Sequence, residues 1–378
     1  MAPDAAREVD GRLTFQEQMR LVELPGIIRD GTAIKQYMSQ RTAHVPGIDL
    51  PLTKDDYGPA KMLLSRPKAA YGGHVYSQAG LAASRAFSYS RAKTLTGSTG
   101  KEFGIHTIHG YFSEAGMADR PFIYEVTTIA ANPSFHNLLV KARQPKTPSA
   151  NPEGDHYPLE DAKQPMGPVC FSAMVSFRPA TRSQIGVHEP SAQARFSDIL
   201  SLKLPSAWDP APLLDIEAIV AALPTKEVGK FPAVDMRKVD MTTFNKDKPL
   251  HERRELLLYR LIAPLPASEP DAHILTHAYE ADRNGLLMLG NHIGFGFNFA
   301  RAASLSYSFV VHVNPSDAVM KFGENEWWIQ EAIFPRVEAG RGIIMSKIWS
   351  PGGVHVATEY QDGIIQRAWR PEEKQGKL

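Results

Sequence analysis

A single cysteine, Cys170, in 378 residues rules out an internal disulfide, and no Cys-x-x-Cys pair is there to cradle zinc. A reducing compartment is expected. The thiol lies in the apolar run Pro168-Val169-Cys170-Phe171-Ser172, which points to a buried, inert role rather than a nucleophile. An excess of one charge is missing too. The 42 Lys and Arg residues against 41 Asp and Glu leave a formal net charge of +1, too weak a field to gather nucleic acid or a membrane surface. No stretch approaches the ~20 apolar residues of a membrane span. The opening Met1-Ala2-Pro3-Asp4-Ala5-Ala6-Arg7-Glu8 has no apolar signal core. Hydrophobic content of 43% with 22% charge is that of a globular chain, and its length suits two domains.

Several motifs are also absent or fail. Gly97-Ser98-Thr99-Gly100-Lys101 hints at a phosphate loop, but Leu95 and Glu102 stand where that loop needs Gly and Ser or Thr. Gly294-Phe295-Gly296 is a fragment of a dinucleotide pattern, with Phe299 in place of its last Gly. No Gly-x-Ser-x-Gly nucleophile elbow exists. His273 and His277 sit at i, i+4 beside Asp271, a spacing that can place two metal ligands on one helix face. The residues between them, Ile274-Leu275-Thr276, lack the metalloprotease Glu, so helix-surface or packing roles are expected and no metal.

What the chain does have is one pattern twice. The first copy opens with Tyr71-Gly72-Gly73 and a helix to Arg85 rich in small residues, Ala79, Ala82 and Ala83. Four runs with strand character follow: Ile105 to Phe112, Pro121 to Ile129, Ser134 to Ala142 and Pro168 to Phe177. The second copy opens with a helix from Asp271 to Leu289 that contains Ala278 and Ala281. Its four runs are Ser304 to Val313, Glu326 to Phe334, Arg341 to Ser350 and His355 to Ile365, preceded by Arg253 to Ile262. Before the first copy, Phe15 to Leu24 reads as helical. Pairing between sequence neighbours is expected. A helix of small residues lies close against a curved sheet. The fold class is therefore α+β, a double hotdog: two antiparallel sheets, each wrapped round a central helix. Joining them edge to edge would remove one exposed edge from each. The expected division is 1–180 for the first unit with its lead-in, 181–250 for a Pro-rich linker, 251–370 for the second unit and 371–378 for a tail.

The residues also resemble a family. Tyr71-Gly72-Gly73-His74-Val75-Tyr76-Ser77-Gln78-Ala79 is similar to the Phe-Gly-Gly-Gln-x-x-x-Gln-Ala start of acyl-CoA thioesterase II (TesB-type) proteins. His106-Thr107-Ile108-His109-Gly110-Tyr111-Phe112 resembles their His-Ser-x-His-x-Tyr-Phe strand. Ala281-Asp282, Ala303-Ser304-Leu305 and Gln361-Asp362-Gly363-Ile364-Ile365 fit the second half in order. The chain departs from the family at Ser306 and Tyr307, where Asp-His is usual, and in a longer stretch between His312 and Trp327. The resemblance implies hydrolysis of an acyl-CoA thioester without a cofactor. It carries the catalytic roles to Asp282, Ser304 and Gln361, and substrate contacts to Gly72, Gly73, His74 and Tyr307. A homo-oligomer follows by analogy.

Thioester hydrolysis needs an activated water, stabilisation of an oxyanion and an acyl groove. Asp282 has the chemistry of the base, provided burial raises its pKa from about 3.9. Ser304 and Gln361 can orient the water, and Gln361 or a backbone N–H can hold the oxyanion. The plain alternative for Asp282 is an exposed helical acid beside Arg283; for Ser304 and Gln361 it is ordinary strand polarity. Two other functions stay open: a recruited hotdog enzyme acting on a carrier-bound or pathway intermediate, and an acyl-CoA binding protein. Gly376-Lys377-Leu378 is similar to the Ser-Lys-Leu peroxisomal address with Gly for Ser, so a cytoplasmic or peroxisomal location is expected.

Overall fold

The computed structural model describes residues 8–47, 50, 69–94, 102–152, 156–223, 230–296 and 298–367. The phosphate-loop fragment at 97–101 and the terminal Gly376-Lys377-Leu378 lie outside the described residues. Thirteen strands form one continuous sheet, every neighbour antiparallel. In the first half they are β1 (Leu21–Arg29), β2 (Thr32–Ser39), β3 (Phe103–Phe112), β4 (Ile123–Ala131), β5 (His136–Pro145) and β6 (Met166–Pro179). In the second they are β7 (Asp209–Pro210), β8 (Val234–Lys238), β9 (Arg254–Leu261), β10 (Phe299–Val311), β11 (Trp328–Glu338), β12 (Arg341–Trp349) and β13 (His355–Arg367). The order across the sheet is β1-β2-β4-β5-β6-β3-β10-β13-β12-β11-β9-β8-β7. Apart from the short β7, the order reads alike outward from the joint in both directions. The joint is the β3–β10 pair, with Tyr111 opposite Ser306 and His109 opposite Ser308.

Two expectations change here. The first long strand of each half pairs with the fourth, β3 with β6 and β10 with β13, rather than with its sequence neighbour. The segments 113–122 and 312–327 that follow β3 and β10 carry no tight hairpin, so they cross over. Each first strand is thereby left at the edge that meets the other half. The stretch Phe15 to Leu24 is one helical turn, Phe15–Gln18 capped by Thr14, followed by strand. Pro25 removes a backbone donor that a longer helix would need. Asp30 and Gly31, both at positive φ, then make the two-residue turn that joins β1 to β2.

Inside the sheet lie three helices: α1 (Gly72–Thr94), α2 (Pro270–Ala281) and α3 (Gly285–His292). Ala79, Ala82, Ala83 and Ala278 are fully buried, which lets α1 and α2 meet closely. A Cβ on Gly80 would stand 2.4 Å from Leu275 Cδ2, and the Ser77 hydroxyl donates to Leu275 O at 3.1 Å. The single helix expected from Asp271 to Leu289 is broken between α2 and α3. Asn284 takes a left-handed backbone there, φ 60°, a conformation that asparagine tolerates better than most residues. On the outer face of the second half, Phe196 and Trp208 cover Leu256, Leu258, Trp327 and Trp349. Arg195 grips both carboxylate oxygens of the buried Glu331.

Candidate active site

The break between α2 and α3 makes the site. Asp282 caps the end of α2, and the turn that follows it is tied down from far along the chain. Arg283 donates to the carbonyls of Ala211 (2.7 Å) and Pro212 (2.9 Å), and the Asn284 amide donates to Pro212 O (2.8 Å). So fixed, the Asp282 carboxylate points across the boundary between the halves. Its Oδ2 accepts the backbone N–H of Gly73 at 2.6 Å, in the first turn of α1. Its Oδ1 accepts Gln361 Nε2 at 2.5 Å and lies 3.5 Å from the Ser304 hydroxyl. Gln361 Nε2 also reaches Ser304 Oγ at 2.8 Å. Thus Asp282, Ser304 and Gln361 converge from a helix end, β10 and β13, and all three line a cavity of about 500 Å³.

The backbone around this contact has little room. A Cβ on Gly72 would lie 2.8 Å from Asp282 Oδ2, and one on Gly285 would lie 2.8 Å from Gln361 Oε1. Gly72 lines the cavity, while Gly73 supplies its N–H to the carboxylate. The cavity wall is mostly apolar: Val75, Phe112, Phe122 and Phe171 on one side, Leu286, Leu287 and Ile364 on the other. Cys170 is among the lining residues, but its thiol bonds Ala142 O at 3.4 Å and burial pushes it up to about 11, so it is no nucleophile.

Burial pushes the Asp282 carboxyl up to about 7, with the Gly73 N–H and the Ser304 hydroxyl opposing that rise. Other titratable groups stand around it. Glu280 on α2 and Glu359 on β13 are fully buried, and desolvation holds both well above the carboxylate range. Burial likewise raises the phenols of Tyr71, Tyr76 and Tyr307. Arg283 is lowered by burial to about 10 and stays charged at neutral pH. Asp282 is therefore the acid of this group that changes charge near pH 7, where a general base is most effective.

Besides Gly73, two further residues expected to touch substrate do not line the cavity. His74 is fully buried, holds Gln18 at 3.2 Å through Nδ1, and is kept neutral by desolvation, lowered to about 3. It sits one residue past the glycines, and the helix turns it into the core. Tyr307 is buried as well, its hydroxyl donating to Ala278 O at 2.9 Å. His273 and His277 do not pair as ligands, because each ring nitrogen has a protein partner: Pro266 O and Met320 N for the first, Tyr259 OH and Ala318 O for the second. The lining residues Leu286 and Gly285 were missed in the sequence, although the Asn284-Gly285 dipeptide signals a turn inside the helical run.

No protein-family model matches the chain. Among curated proteins, acyl-coenzyme A thioesterase 8 of Mus musculus is 23% identical over 344 residues, spanning 87% of this chain and 89% of that protein. The Homo sapiens protein of the same name is 22% identical over 327 residues, spanning 82% and 84%. Among solved structures, acyl-CoA thioesterase II TesB2 from Mycobacterium marinum superposes with a TM-score of 0.55 at 20% identity, covering 94% of this chain and 98% of that one. A hot dog fold protein from Alicyclobacillus acidocaldarius gives 0.51 at 13% identity, covering 94% and 98%. The chain has the double-hotdog fold that these structures share. In this double hotdog the candidate site belongs to neither half alone, since Gly73 and Asp282 come from different central helices.

Proposed function

We propose that the protein hydrolyses acyl-CoA thioesters, with Asp282 as general base. The observation that carries this reading is the carboxylate itself: buried, pushed up to about 7, and met by Gly73, Ser304 and Gln361 at one end of an apolar-walled cavity. A water beside Asp282 gives a proton to the carboxylate as its oxygen bonds to the thioester carbonyl carbon. The carbonyl oxygen takes the negative charge. When the C–S bond breaks, CoA leaves as thiolate and Asp282 returns the proton. Ser304 and Gln361 direct the water. The first turn of α1, positive by its aligned peptide dipoles, faces the developing charge. The apolar wall receives the acyl chain.

The test is release of free thiol from short, medium and long acyl-CoAs by the wild type and Asp282→Asn. Release that needs Asp282 supports the reading and ranks the chains. Equal release by both proteins, or none from any acyl-CoA by the folded wild type, rejects it. Among the described residues no helix is long and apolar enough to cross a membrane.

A further inference from the structure

Helix α2 stops in the interior, and the carbonyls of its last turn have no following turn to bond to. Side chains from three other elements take up most of them. Tyr307 on β10 donates its hydroxyl to Ala278 O at 2.9 Å. Tyr71, just ahead of α1, donates to Tyr279 O at 2.5 Å. Gln330 on β11 donates its amide to Ala281 O at 2.8 Å. The remaining carbonyl, of Glu280, accepts the backbone N–H of Arg283 at 2.9 Å. Tyr307 is 1% exposed and Gln330 0%, so both bonds are made out of reach of solvent. The next residue is Asp282.

We infer that Tyr71, Tyr307 and Gln330 are positioning residues for the reaction: together they end α2 at this turn and aim the Asp282 carboxylate at Gly73 and the cavity. The inference rests on Asp282 being the base. Three features make aim the point rather than stability alone. The capped carbonyls belong to the residues directly before Asp282. The carboxylate has a single narrow seat, with Gly73 N–H at 2.6 Å and no space for even a methyl group on Gly72. The caps come from both halves, Tyr71 from the first and the other two from the second, so they also register the two halves against each other. Gln330 has a further bond, to Ser346 Oγ at 3.0 Å, which fixes its amide on the sheet.

Tyr307 and Gln330 do not line the cavity, so altering them changes no direct substrate contact. The experiment compares wild type, Tyr307→Phe, Gln330→Met, Asp282→Asn and a control, Tyr259→Phe. The control removes another buried hydroxyl that reaches α2, this one from β9, where it bonds His277 Nδ1 at 2.7 Å and caps nothing. Thermal unfolding, kcat, KM and the pH profile of kcat/KM are read for each. The expected result for Tyr307→Phe and Gln330→Met is a fall in kcat of about tenfold with KM nearly unchanged, the cost of a small misplacement of a catalytic group. Their apparent pKa should also rise, because a loosened Gly73 contact no longer holds the carboxylate down. Around Asp282, Glu280, Glu359, Tyr71 and Tyr76 stay neutral and Arg283 stays charged across this range, so the shift reports on Asp282. Tyr259→Phe should lower the melting temperature and leave kcat and the pH profile alone. The inference is overturned if Asp282→Asn is inactive while Tyr307→Phe or Gln330→Met, whichever folds, keeps the wild-type kcat and pH profile. An active Asp282→Asn instead removes the reading of the site, and the positioning role with it.

Discussion

The two ends of helix α2 each hold a carboxylate against the other half of the molecule, and only the near one lines the cavity described above. At the far end Asp271 accepts the Ser84 hydroxyl at 2.5 Å and the Ile105 N–H at 2.8 Å. Pro315 closes over that end, near enough that a Cβ on Gly104 would lie 2.5 Å from its Cγ. The segment carrying Pro315, residues 312–327, is stitched to α2 by His273 and His277. At the near end the corresponding crossover, residues 113–122, stands off and lines the cavity through Ser113, Glu114, Ala115 and Gly116. The strands repeat as well: β3 and β10 each carry a register shift against their long partners, at Ile105–Thr107 and Ser304–Ser306. The same parts therefore give a structural carboxylate where a crossover fills the end and a chemically available one where it does not.

The comparison breaks most visibly in activity. Asp282→Asn should lower kcat by about 10³-fold, within the usual range for loss of a general base. Asp271→Asn should leave turnover near wild type and lower the melting temperature, as thiol release and thermal unfolding would show. Stability at the Asp282 end should also depend on pH. The folded Asp282 titrates near 7 and an unfolded aspartate near 4, so the folded state binds the proton more tightly. The stability that this group contributes is full below about pH 4 and is lost as pH rises through 7. Asp282→Asn escapes that loss, and denaturant unfolding at pH 8 should find it more stable than wild type by up to about 4 kcal/mol, with the gap closing at pH 4.

Glycine substitutions sharpen the contrast. Gly72→Ala pushes a methyl group at Asp282 Oδ2 and should cut kcat by about 100-fold. Gly104→Ala meets Pro315 instead and should cost about 1–3 kcal/mol of stability with kcat unchanged. The smallest effect expected is at Cys170. Its thiol, pushed up to about 11 by burial, should resist alkylation at pH 8 until the protein is unfolded.

Much of this was legible in the sequence because it is periodic or local. The two copies, their strands and the small residues of α1 and α2 follow from spacing alone. Asp282, Ser304 and Gln361 came from a resemblance, and they do meet in space. What escaped depends on contacts between distant positions. The break at Asn284 is held by Ala211 and Pro212, some seventy residues away in sequence. Tyr307 was read as a substrate contact, and it stands where the family pattern has His. Its hydroxyl instead serves a helix carbonyl, as does that of Tyr71, which replaces the pattern's Phe. The β1–β2 hairpin was missed although Asp30-Gly31 announces its turn, since the apolar spacing from Phe15 to Leu24 fits a helix equally well.

The most direct test of the central claim is the pH dependence of kcat/KM for thiol release from an acyl-CoA, wild type beside Asp282→Asn. The structure predicts a wild-type rate that rises through an inflection near pH 7, as burial places the Asp282 carboxyl there, and a variant about 10³-fold slower with that inflection gone. A wild-type rate flat from pH 5 to pH 9, or an inflection that survives in Asp282→Asn, would contradict it.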